Sequence, residues 1–388
     1  MRVLVVTTVH TPLDARIHQR QIRALRDAGI EVTYAAPWSA TGTDPASAAD
    51  GVTTIDLPRA SGRRRLRALL AARRTIARVG RDHDLVLLHD PELVLAAPRG
   101  GDRDGPRVVL DVHEDLPAAV RDRGWIPRPL RPAAVRLARW LEQAAERRLD
   151  GLLLAEASYA DRLPDHPVVP NLPWQRPGGA VAGTHHRVVY IGRLSTGRGA
   201  HELIALGERL AADSAAPRLE LIGTADPAVR PMLERANRAG VLVWHGFVPN
   251  DRALQLVEGS IAGLAPLHDL PNYRGSMPTK VVEYLAAGVP AIVTPLPEAR
   301  AIVERADAGI VVDFGDTDGL EAAVRKLTSD ATLRQRLGAN GRQHVHEHAS
   351  WDVAGPRFIA ALEAVVGHRP AGGDGLSPHV VDSGRIDH

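Results

Sequence analysis

The residue types that this sequence lacks narrow its class before any motif is considered. Its 388 residues include no cysteine, which excludes disulfides, zinc–thiolate sites and iron–sulfur clusters. Aromatic residues make up only 4% of the chain, so alanine, leucine, valine and isoleucine must fill the core. No apolar run approaches the roughly 20 residues that cross a bilayer, and no leader-peptide pattern follows Met1. We therefore expect a cytoplasmic protein.

The charges are nearly balanced, and lysine is almost absent. With 48 Lys+Arg against 46 Asp+Glu the net charge is +2, which gives no reason to expect nucleic acid as a partner. Lys280 and Lys326 are the only lysines of the chain. Because arginine is the basic residue almost everywhere else, the lysine at 280 indicates a need for a compact ammonium there, and such a point charge suits phosphate.

The first half alternates apolar strands with helical patterns, as in a doubly wound α/β domain. Continuous apolar runs are typical of strands that are buried on both faces of a parallel sheet. We expect strands at Arg2–Thr8, Glu31–Ala36, Val52–Leu57, Asp84–Leu88, Arg107–Asp111, Gly151–Ala155 and Pro167–Pro170. The first loop lacks G-x-G-x-x-G, which argues against a dinucleotide dehydrogenase.

A linker and a second strand–helix series follow. Residues 171–186 are rich in Pro and Gly and read as an interdomain linker. The second set of strands is expected at Arg187–Ile191, Arg218–Gly223, Val241–Trp244, Ile261–Leu264, Ala291–Val293 and Gly309–Asp313. The predicted organisation is therefore a domain over 1–170, a linker over 171–186, a second domain over 187–348, a last helix over 349–366 and a disordered tail over 367–388.

The segment Leu267–Val293 carries the strongest signal of a binding site. It predicts a loop, a helix over Thr279–Ala287 and a buried strand, with Thr279 as the N-cap and Gly288 as the end of the helix. A helix N-terminus after a loop offers free N–H groups to phosphate. Lys280 adds a full positive charge, and Glu283 can accept hydrogen bonds from sugar hydroxyls. The alternative is a solvated lysine on an ordinary surface helix.

A glycine-rich turn at Gly192–Gly199, GRLSTGRG, is a second candidate anion site. Arg193 and Arg198 lie five residues apart on this turn, immediately before a predicted helix. Alone the pattern is weak, and a structural turn explains it equally well. Phe247–Asn250 follows a strand end and is placed to meet a nucleotide base.

Polar clusters follow three strands of the first half, where open α/β sheets bind ligands. They comprise His10, Asp14 and Arg16, then His89-Asp90, then His113-Glu114-Asp115. His113 could donate or accept a hydrogen bond at a reaction centre. The alternatives are a capped loop for the first cluster and a structural histidine for His113. The chain has no H-E-x-x-H, and we expect no metal site.

Two segments of the first half are strongly basic. The predicted helix Arg63–Arg81 contains eight arginines and no acid, with Leu66, Leu69, Ile76 and Val79 as its apolar stripe. A similar helix covers Arg128–Arg148. Together they favour an acceptor that is lipid-linked or close to a membrane, with peripheral contact at the inner face. A surface helix packed on the sheet is the alternative.

Four motifs together resemble a known family. GRLSTGRG, LIGT, VWHGFVP and SMPTKVVEYLAAGVPAIV resemble the retaining, nucleotide-sugar-dependent glycosyltransferases of family 4, in the subgroup with a Pro-Thr-Lys signature. DARI, LHDPELV, DVHED and VVPNLP agree more loosely in the first half. The resemblance covers roughly residues 1–366. It implies the GT-B fold, in which two Rossmann-like domains face each other across a cleft and a C-terminal helix crosses back to the first domain.

The resemblance also implies roles for single residues. Arg193 and Arg198 match a basic pair that contacts the diphosphate, Glu283 a glutamate that binds the ribose, and His113 a histidine near the reaction centre. The first glutamate of the family's Glu-x7-Glu motif, which contacts the transferred sugar, falls on Gly275 here. Asn272, Tyr273 or backbone groups would then hold the sugar. The expected donor-binding set is Gly192, Phe247, Asn272, Tyr273, Pro278, Thr279 and Glu283, beside the catalytic set His113, Arg193, Arg198 and Lys280.

The resulting hypothesis is sugar transfer from a nucleotide-diphosphate sugar to an acceptor hydroxyl, with retention and without a cofactor or metal. The route would be front-face attack, with the leaving phosphate taking the acceptor proton. Two alternatives stay open: a nucleotide-sugar epimerase of the same fold, which would use His113 and Glu114, and a non-catalytic subunit, which only the missing glutamate supports. The sugar, the nucleotide and the acceptor are not readable from the sequence.

Overall fold

The first half of the chain forms a sheet of six parallel strands. The structure, a computed structural model, describes residues 1–48, 50–98, 100, 105–117, 120, 127–175 and 182–367, with the backbone alone at 128 and 272. The strands are β1 (Arg2–Val6), β2 (Glu31–Ala36), β3 (Val52–Asp56), β4 (Leu85–Leu88), β5 (Arg107–Val112) and β6 (Gly151–Leu154). They lie in the order β3-β2-β1-β4-β5-β6, so the chain reverses direction across the sheet between β1 and β4.

Helices cover this first sheet. A wide helical turn over Ala15–Ile22 continues into α1 (Arg23–Asp27), and α2 (Trp38–Thr41), α3 (Arg65–Val79) and α4 (Arg131–Arg148) follow. The tight turn Pro91–Leu95 packs against both α3 and α4. The predicted strand Pro167–Pro170 is wrong, since only a single bridge joins Val168 to Leu154. Of the predicted basic helix Arg128–Arg148, Arg131–Arg148 forms α4, and the side chain of Arg128 lies outside the described residues.

The second half repeats the same architecture. Its strands are β7 (Arg187–Ile191), β8 (Arg218–Ile222), β9 (Val243–Trp244), β10 (Ala262–Ala265), β11 (Ala291–Val293) and β12 (Gly309–Val311). They lie in the order β12-β11-β10-β7-β8-β9 and are all parallel. Numbered within this half, both sheets have the doubly wound order 3-2-1-4-5-6, which leaves a crevice at the carboxyl ends of the first and fourth strands.

The helices of the second half are α5 (Ala200–Ala211), α6 (Arg230–Arg238), α7 (Asn250–Val257), α8 (Pro271–Arg274), α9 (Thr279–Ala286), α10 (Pro297–Arg305), α11 (Thr317–Ser329), α12 (Ala331–His348) and α13 (Trp351–Gly367). The last of them, α13, returns to the first half and contacts α1 and the helical turn before it. One hydrophobic cluster contains side chains of both halves, among them Ile17, Val281 and Trp351. The predicted crossing of the last helix is confirmed.

The hydrophobic pattern of α3 differs from the prediction. Its buried side chains are Ala68, Ala72, Thr75 and Ile76, whereas Leu66 is 66% exposed. Leu66 and Leu70 lie on the outer face, whereas Leu69 and Val79 of the predicted stripe are half-buried and pack against the core of the first half. The predicted linker between 176 and 181 and the predicted tail from 368 onward lie outside the described residues. None of the described helices combines the length and hydrophobicity needed to span a bilayer.

Candidate active site

The helix α9 is held over the crevice of the second sheet by Tyr284. The hydroxyl of Tyr284 accepts a hydrogen bond from Ile191 N at 2.9 Å and donates one to Leu264 O at 3.1 Å, so it joins the ends of β7 and β10. The ring lies directly above Gly263, where a Cβ would be 2.2 Å from it. Glycine is therefore required at 263 for this helix to approach the sheet.

The N-terminus of α9 differs in one detail from the expectation. Its cap is Pro278, whose backbone is extended, and Thr279 is already the first helical residue without a side-chain cap. The prediction of Thr279 as N-cap is wrong because the proline fixes the entry into the helix one residue earlier. Gly288 ends the helix region with φ +70, as expected.

Two cations converge at the turn that follows β7. A Cβ at Gly192, which has φ +119, would lie 3.4 Å from Lys280 Nζ and 3.7 Å from Arg198 Nη1. The ammonium of Lys280 is buried over the ring of Tyr190, 3.7 Å from its centroid, and has no hydrogen-bond partner among the described residues. The bare backbone of Gly192 lets a ligand approach both cations closely.

The two positive charges influence each other. Burial, and next the neighbouring Arg198, hold the pKa of Lys280 well below its usual value, and Glu283 opposes them. The guanidinium of Arg198 lies 5.8 Å from the ring centroid of Tyr273, and no ion pair of the described residues neutralises it. An anion between Lys280 and Arg198 would stabilise the charged forms of both.

Arg193 and Glu283 lie at the same crevice in different environments. Arg193 is 63% exposed and forms an ion pair with Asp226 at the rim. Glu283 is buried, and its Oε1 lies 3.4 Å from Arg20 Nη2 and 3.4 Å from Asn250 Nδ2. Glu283 therefore joins α9 to the helical turn of the first half and to α7.

A single cleft between the halves gathers the expected residues. Its volume is about 1310 Å³, and Phe247, 76% exposed, reaches into it from the loop after β9. Among the residues that line it are Gly192, Arg193, Arg198, Phe247, Tyr273, Pro278, Thr279, Lys280, Glu283 and His113. The side chain of Asn272 lies outside the described residues, so its contact with the sugar stays a prediction.

On the first-half side of the cleft, His113 is part of a hydrogen-bonded chain. Its Nδ1 lies 3.0 Å from Asp111 O, to which it can only donate, and its Nε2 lies 3.1 Å from His10 Nε2, so one of these two Nε2 atoms donates to the other. Burial disfavours a charged His10, yet Asp14 and Asp90 raise its pKa above the usual value. A protonated His10 can donate to both Asp14 and His113.

Asp111 lies beneath this chain and was not among the expected residues. Arg16 holds both of its oxygens, with Nε at 2.7 Å and Nη2 at 2.6 Å. His89, Asp111 and His113 form the one described group that could approach a metal ion, with ligand atoms within 4.8 Å. Because Arg16 already neutralises the carboxylate, these residues fit a metal poorly and we derive no step through one. Asp14 caps the helical turn Ala15–Ile22 with its side chain.

Two six-stranded parallel sheets that face each other across such a cleft define the GT-B fold. Solved structures agree: sucrose-phosphate synthase of Thermosynechococcus elongatus aligns with a TM-score of 0.69 at 17% identity, over 94% of this chain and 99% of that one. Anabaena HepE in complex with UDP and glucose aligns with a TM-score of 0.66 at 12% identity, over 94% and 100%. At these identities the likeness concerns the fold.

Family models match each half of the sequence. Residues 175–344 match "Glycosyl transferases group 1", and residues 15–173 match "Glycosyl transferase 4-like domain". With the GT-B fold, these matches support a glycosyltransferase of the family 4 type.

Curated relatives match over shorter stretches. The capsular polysaccharide biosynthesis glycosyltransferase CapM of Staphylococcus aureus is 25% identical over 42% of each chain. A phosphatidyl-myo-inositol mannosyltransferase of Mycolicibacterium smegmatis is 31% identical over 22% of each chain. This chain therefore spans less than half the length of these relatives.

Proposed function

We propose that this protein is a retaining glycosyltransferase that moves a sugar from a nucleotide-diphosphate sugar to an acceptor hydroxyl. The observation that carries the proposal is the convergence of Lys280 and Arg198 on the bare backbone of Gly192, beside the N-terminus of α9. A buried ammonium without a hydrogen-bond partner is unstable unless an anion binds it. The UDP-bound HepE neighbour supports a nucleoside diphosphate as that anion.

The chemistry follows from where negative charge develops. The bond between the anomeric carbon and the diphosphate breaks, and the leaving oxygen gains charge that Lys280, Arg198 and the helix N-terminus stabilise. The acceptor oxygen attacks the same face of the sugar and passes its proton to the leaving phosphate. Arg193, once released from Asp226, adds a third cation from the rim. Phe247 supplies an aromatic face for the base, and Glu283 an acceptor for the ribose hydroxyls.

The acceptor would enter from the first half. A cavity of about 300 Å³ shares His113 and Glu114 with the cleft and extends between α3 and α4. Carboxylates of Asp90, Glu114 and Glu142 line it, and such groups accept hydrogen bonds from hydroxyls. This lining supports a polyhydroxylated acceptor group.

A membrane surface fits the outer faces of the same two helices. Leu66 and Leu70 of α3 are 66% and 44% exposed, and Leu137 and Trp140 of α4 are 57% and 51% exposed. Arginines surround them, so the face combines apolar and basic side chains as interfacial helices do. The name of the mycobacterial relative, which acts on a phosphatidylinositol, supports an acceptor of this kind.

The test compares donor turnover with and without acceptor. The protein is incubated with UDP-glucose, UDP-N-acetylglucosamine or GDP-mannose, alone and with a bacterial lipid extract, and released diphosphate and glycosylated product are measured. Transfer predicts product that requires the extract, with the anomeric configuration of the donor retained in its NMR spectrum. Conversion of the donor without acceptor would instead indicate an epimerase. Absence of turnover with every donor would indicate a non-catalytic subunit, and an inverted product would overturn retention.

A further inference from the structure

Glu156 of the first half faces the cleft and contacts the second half. It lies two residues after the end of β6, and its carboxylate lies against the loop that precedes α9. Glu156 Oε1 accepts a hydrogen bond from Ser276 Oγ at 3.1 Å, and Oε2 accepts one from Met277 N at 2.9 Å. The side chain of Glu156 thus crosses the boundary between the halves and contacts the loop before α9, where the family resemblance predicts contacts with the sugar.

The carboxylate of Glu156 forms no ion pair with the residues that the structure describes. Among the described residues, no Arg, Lys or His side chain comes within ion-pair distance of Glu156, although its hydrogen bonds are partly buried. Burial raises the pKa of Glu156, and Glu298 adds to the rise, while the hydrogen bonds from Met277 and Ser276 and the charge of Arg16 oppose it. A carboxylate kept in a partly desolvated cleft without an ion pair costs stability, and such groups cluster at functional sites. Its two hydrogen bonds leave acceptor capacity on both oxygens.

The loop opposite offers no carboxylate of its own at the matching position. Gly275 stands where the family has a glutamate that contacts the transferred sugar. Its φ of −101 would suit any residue, but a Cβ there would lie 3.2 Å from Ser158 Cβ and 3.3 Å from Ser158 Oγ. Ser158 Oγ also donates a hydrogen bond to Gly275 O at 2.9 Å. A side chain at 275 would therefore be crowded against Ser158 of the first half, which would have to shift by a few tenths of an ångström.

We propose that Glu156 is a sugar-binding residue that accepts hydrogen bonds from hydroxyls of the transferred sugar, in place of the glutamate that is absent at Gly275. The inference rests on the proposed function, because it assigns Glu156 to the sugar of a nucleotide-diphosphate sugar. Because Glu156 belongs to the first half and the other proposed donor contacts belong to the second, it can bind the sugar only while the cleft between the halves is closed as in this structure. It should leave the affinity for the nucleotide itself unchanged.

The test separates sugar binding from nucleotide binding. Affinities of UDP, UDP-glucose, UDP-N-acetylglucosamine, GDP and GDP-mannose are measured by calorimetry on the full chain and on Glu156→Gln. Glutamine keeps an oxygen that can accept from Met277 N, so the loop contact is retained. We expect the variant to bind the diphosphate as the wild type does and the preferred donor about tenfold more weakly, as for a hydrogen bond that loses its charged partner.

A control and a rescue make the result specific. Ser276→Ala removes one donor to Glu156 and leaves the carboxylate in place, so its donor-to-diphosphate affinity ratio should equal that of the wild type. The triple variant Glu156→Ala, Ser158→Gly, Gly275→Glu moves the carboxylate to the loop and clears space for it. We expect it to bind the donor more tightly than Glu156→Ala alone.

Two results would overturn this inference without affecting the proposed function. The first is a donor-to-diphosphate affinity ratio that is unchanged in Glu156→Gln. The second is an equal loss of donor and diphosphate affinity, which would mean that Glu156 only holds the two halves in contact. Wild-type protein that binds none of the nucleotides would overturn the proposed function and the inference together.

Discussion

At the scale of one residue, the proposed role of Lys280 depends on its burial. Its ammonium lies against Tyr190 and beside Arg198, and both burial and the second cation lower its pKa. A solvated lysine would gain little from a phosphate, because water already screens its charge. In the buried site a phosphate would supply the hydrogen bonds that the Lys280 ammonium lacks and would neutralise the charges of both Lys280 and Arg198. Lysine is also compact enough to sit under the turn at Gly192.

The first prediction concerns the two lysines of the chain. Lys280→Ala should lower kcat for sugar transfer by about 100- to 1000-fold, as expected when one preorganised charge at a developing oxyanion is removed. Lys326→Ala is the matched control, since Lys326 is exposed near the end of α11, and it should retain wild-type turnover. Steady-state kinetics with the preferred donor measure both. Equal activities of the two variants would contradict a role for Lys280 in leaving-group departure.

At this scale the motifs predicted the cation site but not its surroundings. Gly192, Arg198 and Lys280 come from two short patterns, and the structure brings them together. Glu156 was not singled out, although an acid directly after a buried strand is the signal that identified His113-Glu114. Asp111 could not be identified from the sequence as a residue of the candidate site, because nothing there distinguishes it from other polar residues near strand ends. Its bidentate contact with Arg16 depends on a distant segment.

The pair Arg16–Asp111 joins two elements, the helical turn after β1 and the end of β5. Burial alone would raise the pKa of Asp111, but Arg16 holds it well below the usual range. The stabilisation is therefore complete above the unfolded pKa of about 3.9 and is lost as the pH falls toward the folded value. The pair is fully buried, so its partners cannot turn to water.

We predict that Arg16→Ala lowers the free energy of unfolding by about 3 kcal/mol at pH 7, the usual cost of leaving a buried charge unpaired. The difference from wild type should narrow as the pH falls below about 3.9, where the carboxyl becomes protonated in the unfolded chain. Arg300→Ala breaks an exposed pair with Glu304 and should cost less than about 1 kcal/mol. Urea unfolding at several pH values measures all three proteins. A pH-independent loss would contradict the charge interaction.

The outer face of α3 carries a prediction about membranes. Leu66→Glu with Leu70→Glu should abolish flotation of the protein with vesicles that contain anionic lipid, because it adds two negative charges and removes apolar area. Phe314→Glu changes a 39% exposed aromatic in the second half and should leave flotation unchanged. Wild-type protein that fails to float at low salt would remove the membrane proposal, and flotation that survives the double change would exclude α3 as the contact.

Element types followed from periodicity more reliably than element faces. The parallel strands and the helix α9 lie close to the expected bounds, since continuous apolar runs and glycine stops are local signals. The predicted stripe of α3 is right at Leu69, Ile76 and Val79, which face the core, and wrong at Leu66, which is exposed, while Ala68 and Ala72 are buried in addition. The cap of α9 was shifted by one residue by Pro278. Both details depend on how the helix meets its neighbours.

At the scale of the whole molecule, α13 connects the two halves. Trp351, at its first turn, is fully buried, with its ring centroid 6.4 Å from that of Trp174 and 5.9 Å from that of Phe358. The backbone N–H of Trp351 donates a hydrogen bond to Pro173 O at 2.7 Å, in the segment that precedes the second half. The same hydrophobic cluster includes Ile17 of the first half and Val281 of α9.

We predict that Trp351→Ala lowers the stability of the protein by about 3–5 kcal/mol, the range for truncating a buried aromatic side chain. Because this residue packs between the halves, calorimetry should show one unfolding transition for wild type and two for the variant. Trp140→Ala, at a 51% exposed tryptophan of α4, should change stability by less than about 0.5 kcal/mol. A single unshifted transition in Trp351→Ala would contradict the connecting role.

The sequence by itself determined the kind of strands and helices, their order and two candidate anion-binding turns, because hydrophobic period, glycine and proline act over a few residues. Tertiary structure alone decided which side chains meet: Lys280 with Arg198, Asp111 with Arg16, and Glu156 with the loop of the other half. These contacts join residues about 80 to 120 positions apart, and their energies depend on burial and on charges brought close together. No local pattern records either quantity.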